Sequence, residues 1–167
     1  MEFASQTIHD VREPTVVRVE TMPEEVMAQL LLLDLWLQNE DRSLTELGGN
    51  PNLLVPRVPS ATGKPEDERL WAYDFNLAFD EDFNRERFFG AHVFGRMLER
   101  WPDGFRERME PRPKVALEEV PTIFAELPLE WLHMDGDESL PVQLDIKRVI
   151  SALELPFIDP ETFWKLP

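Results

Sequence analysis

The stretch Asp34-Leu35-Trp36-Leu37-Gln38-Asn39-Glu40-Asp41-Arg42, joined through a short polar segment to Asn50-Pro51-Asn52-Leu53-Leu54, carries the most information in this chain. It leaves a strongly apolar run, crosses a polar loop and re-enters an apolar segment. Upstream, Leu30 to Leu33, Leu35, Trp36 and Leu37 lie almost all round a helix expected over residues 23–38. A helix that is apolar all round is a central, buried one, and this one is too short to be read as a membrane span. Thr21 before Pro23, Glu24 and Glu25 reads as its start: a cap, a proline in the first turn, and acids where the helix dipole favours them. Downstream, residues 39–52 are polar and hold Gly48, Gly49 and Pro51, which predicts a loop. Leu53-Leu54-Val55 predicts a short strand stopped by Pro56. Residues 57–68, with Pro59, Gly63 and Pro65, predict a hairpin loop, and Leu70 to Tyr73 a second strand ending in Asp74-Phe75-Asn76.

Further out the pattern is weaker. Residues 1–20, with Thr15-Val16-Val17-Arg18-Val19, predict extended structure or a short strand after an irregular lead-in. Past the hairpin, helices are expected over about 84–100, 116–126, 139–154 and 159–165. Ser139 before Pro141 and Asp159 before Pro160 supply start signals for the last two. The fold class is mainly α with a small β hairpin. Residues 1–22 form a hinge-like lead-in, and residues 23–167 a single domain.

Bulk properties narrow the function classes. The 167 residues are 43% hydrophobic, enough for a real core. The net charge of −16 argues against direct contact with nucleic acid, whose phosphates need a basic surface. With no Cys there are no disulfides, thiolate metal sites or cysteine nucleophiles. A soluble, cytoplasmic protein with no membrane contact is expected, because no apolar run spans a bilayer and no leader pattern opens the chain. His9, His92 and His133 are far apart and lack metal-ligand spacing.

Taken singly, the loop residues are bland. An Asp-Arg pair is usually a surface turn, Asn-Pro-Asn is an ordinary turn formula, and an Asp at a strand end is often only a cap. Their order is what matters: buried helix, Asp41, Asn, strand, strand, Asp74. A kinase needs a base and a metal ligand on either side of the transferring phosphoryl group, and a hairpin whose ends meet brings them there. Asn39-x-Asp41-Arg42 with Asn50-Pro51-Asn52-Leu53-Leu54, followed by Trp71-Ala72-Tyr73-Asp74 and Asn76-Leu77-Ala78-Phe79, resembles the signature of the HipA-like bacterial Ser/Thr kinases. The resemblance covers roughly residues 1–95.

The resemblance implies a kinase-like C-terminal lobe that works with ATP and Mg2+. Asp41 would be the catalytic base, with Arg42 and Asn39 orienting the loop. Asp74 and Asn52 would hold the metal and nucleotide, with Asn50 as the alternative because the segment between Asp41 and Asn52 is longer than the usual kinase loop. It also implies a toxin–antitoxin setting, in which family members phosphorylate an aminoacyl-tRNA synthetase. Asp34, inside the apolar helix, either supports the loop or lies on a polar stripe with Gln29 and Gln38. The nucleotide-gripping Lys and the glycine-rich cover that kinases carry ahead of the loop have no counterpart: no Lys precedes Lys64 and no Gly precedes Gly48. The expectation is therefore a truncated kinase lobe, inactive alone, that takes its N-lobe from a partner or meets an antitoxin-type protein. The alternative is a non-catalytic binding or regulatory protein on the same lobe. An apolar face for the partner is expected around Val16, Val17 and Val19.

Overall fold

The computed structural model describes residues 8–44, 48–57, 69–128 and 145–167. It is mainly helical with one small antiparallel sheet, as expected, and gathers into two compact units. One is built from Ser5–Phe105 with Lys165–Pro167, the other mainly from Arg106–Trp164.

In the first unit the central element is helix α2, Glu24–Trp36. Met27, Ala28, Leu30, Leu31, Leu32 and Leu35 are all buried, which is why a run with so little polar face forms a stable helix here. Its N-cap is Pro23, without a side-chain hydrogen bond, and not Thr21. Thr21 instead closes a preceding helix, α1 (Val16–Glu20), where its hydroxyl donates to the carbonyls of Val17 and Arg18.

Helix α1 corrects the extended reading of Thr15–Val19. β-branched residues disfavour a helix only by tenths of a kcal/mol each. Thr15 caps this one by accepting from Arg18 N at 3.3 Å, and Val19 is fully buried. Burying one valine side chain is worth about 1.5–3 kcal/mol, more than the propensity cost. Among the described residues ahead of α1, the strand is Val11–Arg12, β1.

Strands β2 (Leu53–Pro56) and β3 (Trp71–Ala72) complete a sheet of order β1-β2-β3, antiparallel throughout. Val11 faces Pro56 and Arg12 faces Val55; Leu53 faces Ala72 and Leu54 faces Trp71. Leu53 and Val55 alternate inward on β2. The expected hairpin loop lies almost wholly outside the described residues.

Helix α3 runs only Arg85–Ala91, shorter than the expected 84–100. Asn84 caps it by accepting from Arg87 N at 2.9 Å. It stops because His92 leaves the helical region and bridges Ser43 instead. The turn beyond folds back so tightly that a Cβ at Gly95 would overlap the Phe89 carbonyl.

Helix α4, Phe105–Met109, was not expected, and leads into the second unit. There α5 begins at Pro111, five residues ahead of the predicted start, since proline is preorganised for a first helical turn. Helix α6 spans Ile146–Ile158 with Asp145 as its cap; the predicted start at Ser139–Pro141 lies outside the described residues. Helix α7 spans Pro160–Phe163, capped by Asp159 as its sequence signal predicts. Val120, Val149, Leu153 and Phe163 are buried in this unit.

Candidate active site

Helix α2 ends in a buried carboxylate that organises the loop after it. Asp34 has no exposed surface. Its Oδ1 accepts from Asn39 Nδ2 at 2.9 Å, and its Oδ2 from Arg42 Nε at 2.6 Å. The Asp34 carbonyl also accepts from Asn39 N at 2.9 Å, so helix end and loop start are locked together. A buried carboxylate is tolerated when it is paired and multiply hydrogen-bonded. Of the two readings open for Asp34, the loop-supporting one holds.

Arg42 is likewise fully buried and uses its fork to tie distant segments. Nη1 donates to the Asn52 carbonyl at 2.6 Å and, at 3.3 Å, to the carbonyls of Pro51 and Tyr73. One guanidinium therefore fixes the end of α2, the Asn-Pro-Asn turn and the residue before Asp74. Its planar geometry with five donors suits this role, which a lysine could not fill. The face of the group also lies 5.0 Å from the Phe75 ring centre.

Above this anchor sit the polar groups. Asn52 Nδ2 donates to Asp41 Oδ2 at 2.7 Å. Tyr73 N donates to the Asn52 carbonyl at 3.1 Å, continuing the β2–β3 register, so the hairpin brings Asp74 to the end where Asn52 and Asp41 meet. Asn52 and Asp74 both adopt positive φ, 47° and 57°. Asn and Asp enter that left-handed region more readily than other side-chain-bearing residues, which gives a local reason for these residue types. Asp74 is exposed, and its Oδ1 accepts from Asn76 N at 3.4 Å. The neighbouring Tyr73 phenol is pushed up by burial, then by the negative charges of Glu13 and Asp74.

The predicted residues thus divide. Asp41, Asn52 and Asp74 gather at one hairpin end, while Arg42 and Asn39 lie beneath, inaccessible to any ligand. Asn50 is exposed and contributes its carbonyl, which accepts from Ser43 N at 3.0 Å. The structure places Asn52, and not Asn50, against Asp41. Gly49 makes that loop closure possible, because a Cβ there would overlap the Ser43 carbonyl.

Two supporting residues escaped the sequence reading. Buried His92 lies with Nε2 3.0 Å from Asp34 Oδ2, while its Nδ1 accepts from Phe94 N at 3.1 Å. The second bond assigns the tautomer: Nδ1 is bare and the proton sits on Nε2, donating to Asp34. Burial lowers the ring's pKa, outweighing the opposite pull of Asp34. The signal was one lone polar residue in the apolar run Phe88–Phe94, matching the lone acid in the Leu-rich helix. Glu40 is the other. It accepts from Asn84 N and Arg87 Nε, clamping the loop onto the start of α3.

The donor set suits a hard divalent cation. Asp74 offers a carboxylate, and with its nitrogen committed to Asp41, Asn52 offers an amide oxygen. Mg2+ takes oxygen ligands and commonly binds through one or two protein groups, completing its shell with waters and phosphate oxygens. Among the described residues no three of His, Cys, Asp and Glu cluster as a dedicated metal cage. Among them, too, no helix is long and apolar enough to cross a membrane.

Comparison with known proteins agrees with the family signature. No curated protein and no solved structure matches the chain. The family model described as HipA-like kinase matches residues 1–167, the full length of the sequence. The chain belongs to the HipA-like kinase family.

Proposed function

We propose that the chain is the catalytic lobe of an ATP-dependent Ser/Thr protein kinase whose nucleotide-gripping lobe comes from elsewhere. The observation that carries this reading is the 2.7 Å bond from Asn52 Nδ2 to Asp41 Oδ2, at the hairpin end that also holds Asp74. In this proposal Asp41 accepts the proton of the substrate hydroxyl as that oxygen attacks the γ-phosphoryl group. Asn52 orients the Asp41 carboxylate and, with Asp74, holds Mg2+. The ion would supply neutralisation of phosphate charge, the chief electrostatic demand of phosphoryl transfer. Arg42, Asn39 and Asp34 are positioning residues that keep the three in place.

Residues 1–40 contain neither Lys nor Gly, and in this proposal the phosphate-pairing Lys and the covering loop lie outside residues 1–167. Val16 and Val17 are 55% and 68% exposed on α1, while Val19 is buried in the core. The proposed docking face therefore includes Val17, with Val16 turned to the adjoining cleft at its border, and excludes Val19. This dependence keeps a second reading in view, a binding protein without turnover.

The test uses the chain with and without its neighbouring gene products. With the partner present, Mg2+–ATP is expected to raise the melting temperature, and Asp74→Ala to abolish that shift. Asp41→Asn is expected to retain the shift but lose about 10²–10⁴-fold in phosphate transfer. Transfer unaffected by both substitutions refutes the assignment. A melting temperature insensitive to Mg2+–ATP with every candidate partner favours the binding-protein reading.

A further inference from the structure

Within the first unit, a cleft of about 600 Å³ adjoins the loop that bears Asp41. Its walls are apolar at Val16, Leu44, Val93 and Met97. Glu20 and Arg96, of opposite charge, and His92 also line it. Glu20 and Arg96 are exposed, and among the described residues neither makes a side-chain hydrogen bond or ion pair. Gly90 also lines the cleft, and a Cβ there would sit 3.9 Å from Arg96 Nη2, so the missing side chain keeps space open beside the cation.

The position matters as much as the lining. Leu44 follows Asp41 by three residues, hence within about 10 Å along the chain. It is held there by Leu44 N donating to the Ala91 carbonyl at 3.1 Å and by the Ser43–His92 bridge. An extended peptide advances about 3.3 Å per residue. With its hydroxyl at Asp41, such a peptide reaches the cleft with the side chain about three residues away.

We infer that this cleft seats a segment of the protein substrate: an apolar side chain about three residues from the phosphorylated hydroxyl, flanked by one acidic and one basic residue. The apolar side chain fills the space between Val16, Leu44, Val93 and Met97. The acidic neighbour meets Arg96 and the basic one Glu20. The inference rests on the kinase reading for the nature of the ligand, but the cleft is tested without turnover.

The probes are capped decapeptides with one serine and, three residues away on either side, leucine between lysine and glutamate. Controls replace the leucine with alanine, or both charges with glutamine. Binding is read by methyl NMR of the isotopically labelled full chain. Shifts are expected at Val16, Leu44, Val93 and Met97 with the leucine peptide, and at least threefold weaker binding with the alanine one. Arg96→Gln, an exposed change, is expected to weaken the charged peptide at least threefold and leave the glutamine peptide unchanged. Gly90→Leu, which fills the cleft, is expected to remove the shifts.

Shifts confined to other surfaces, equal binding of the leucine and alanine peptides, or indifference to Arg96→Gln would each overturn the inference. Mg2+–ATP binding is measured in parallel with the partner lobe present. Its absence beside intact peptide shifts counts against the kinase reading alone. Intact nucleotide binding without peptide shifts counts against the cleft alone.

Discussion

Asp34 and Arg42 form a buried pair with no exposed side-chain surface on either partner. Removing one charge leaves the other desolvated and uncompensated, which costs about 3–5 kcal/mol. Asp34→Asn is therefore expected to lower unfolding free energy by about that amount in urea titration. A conservative Asp41→Asn, whose residue is only partly buried, is expected to change stability far less. His92 adds a pH dependence on the same carboxylate. Its folded pKa lies below the ordinary 6.5, because burial disfavours the imidazolium. Between the lowered value and 6.5 the unfolded chain binds more protons than the folded one, so stability rises with pH across that window. The contribution is full above about 6.5 and is lost as pH falls toward the folded value. His92→Gln, which cannot titrate, is expected to flatten the denaturation midpoint on the acid side of about pH 6.5.

At the scale of elements, the loop bearing Asp41 is held from three directions: by α2 through Asp34, by the β2–β3 hairpin through Arg42, and by α3 through Glu40 and the Ser43–His92 bridge. Gly49 permits the tight return of this loop, and its Cβ would meet backbone atoms, which cannot swing aside as a side-chain tip can. Gly49→Ala is expected to cost about 1–3 kcal/mol by overpacking. The displaced loop should also weaken phosphate transfer in the partnered complex, with the melting temperature measured alongside to separate the two effects. The length of α3 was misread for the same kind of reason. Residues 84–100 carry a helical apolar pattern, but the chain leaves the helix at His92, whose ring meets Asp34 while the flanking Ala91 and Val93 pair with Leu44 and Arg42. Tertiary hydrogen bonds to a buried charge outweigh local propensity, which is worth tenths of a kcal/mol per residue.

At the scale of the whole molecule, a net charge of −16 on 167 residues produces self-repulsion in the compact state. Raising ionic strength from about 0.05 to about 0.5 M shortens the screening length from above 10 Å to a few ångströms. The melting temperature is expected to rise over that range, and Asp34→Asn to leave the salt response intact because its pair is shielded from solvent.

The amino-acid order alone determined the apolar α2, the polar loop, the short strands and the succession Asp41, Asn52, Asp74. These features depend on neighbours a few residues apart, through periodicity, turn chemistry and chain order. Only the tertiary structure set Asn52, and not Asn50, against Asp41, buried Arg42 as an anchor, joined Asp34 to His92 across 58 residues, and ended α3 early. Each of these is settled by which distant group satisfies a buried charge or amide. No local pattern encodes that choice, because the penalty for leaving such a group unpaired exists only once the surrounding segments have excluded water.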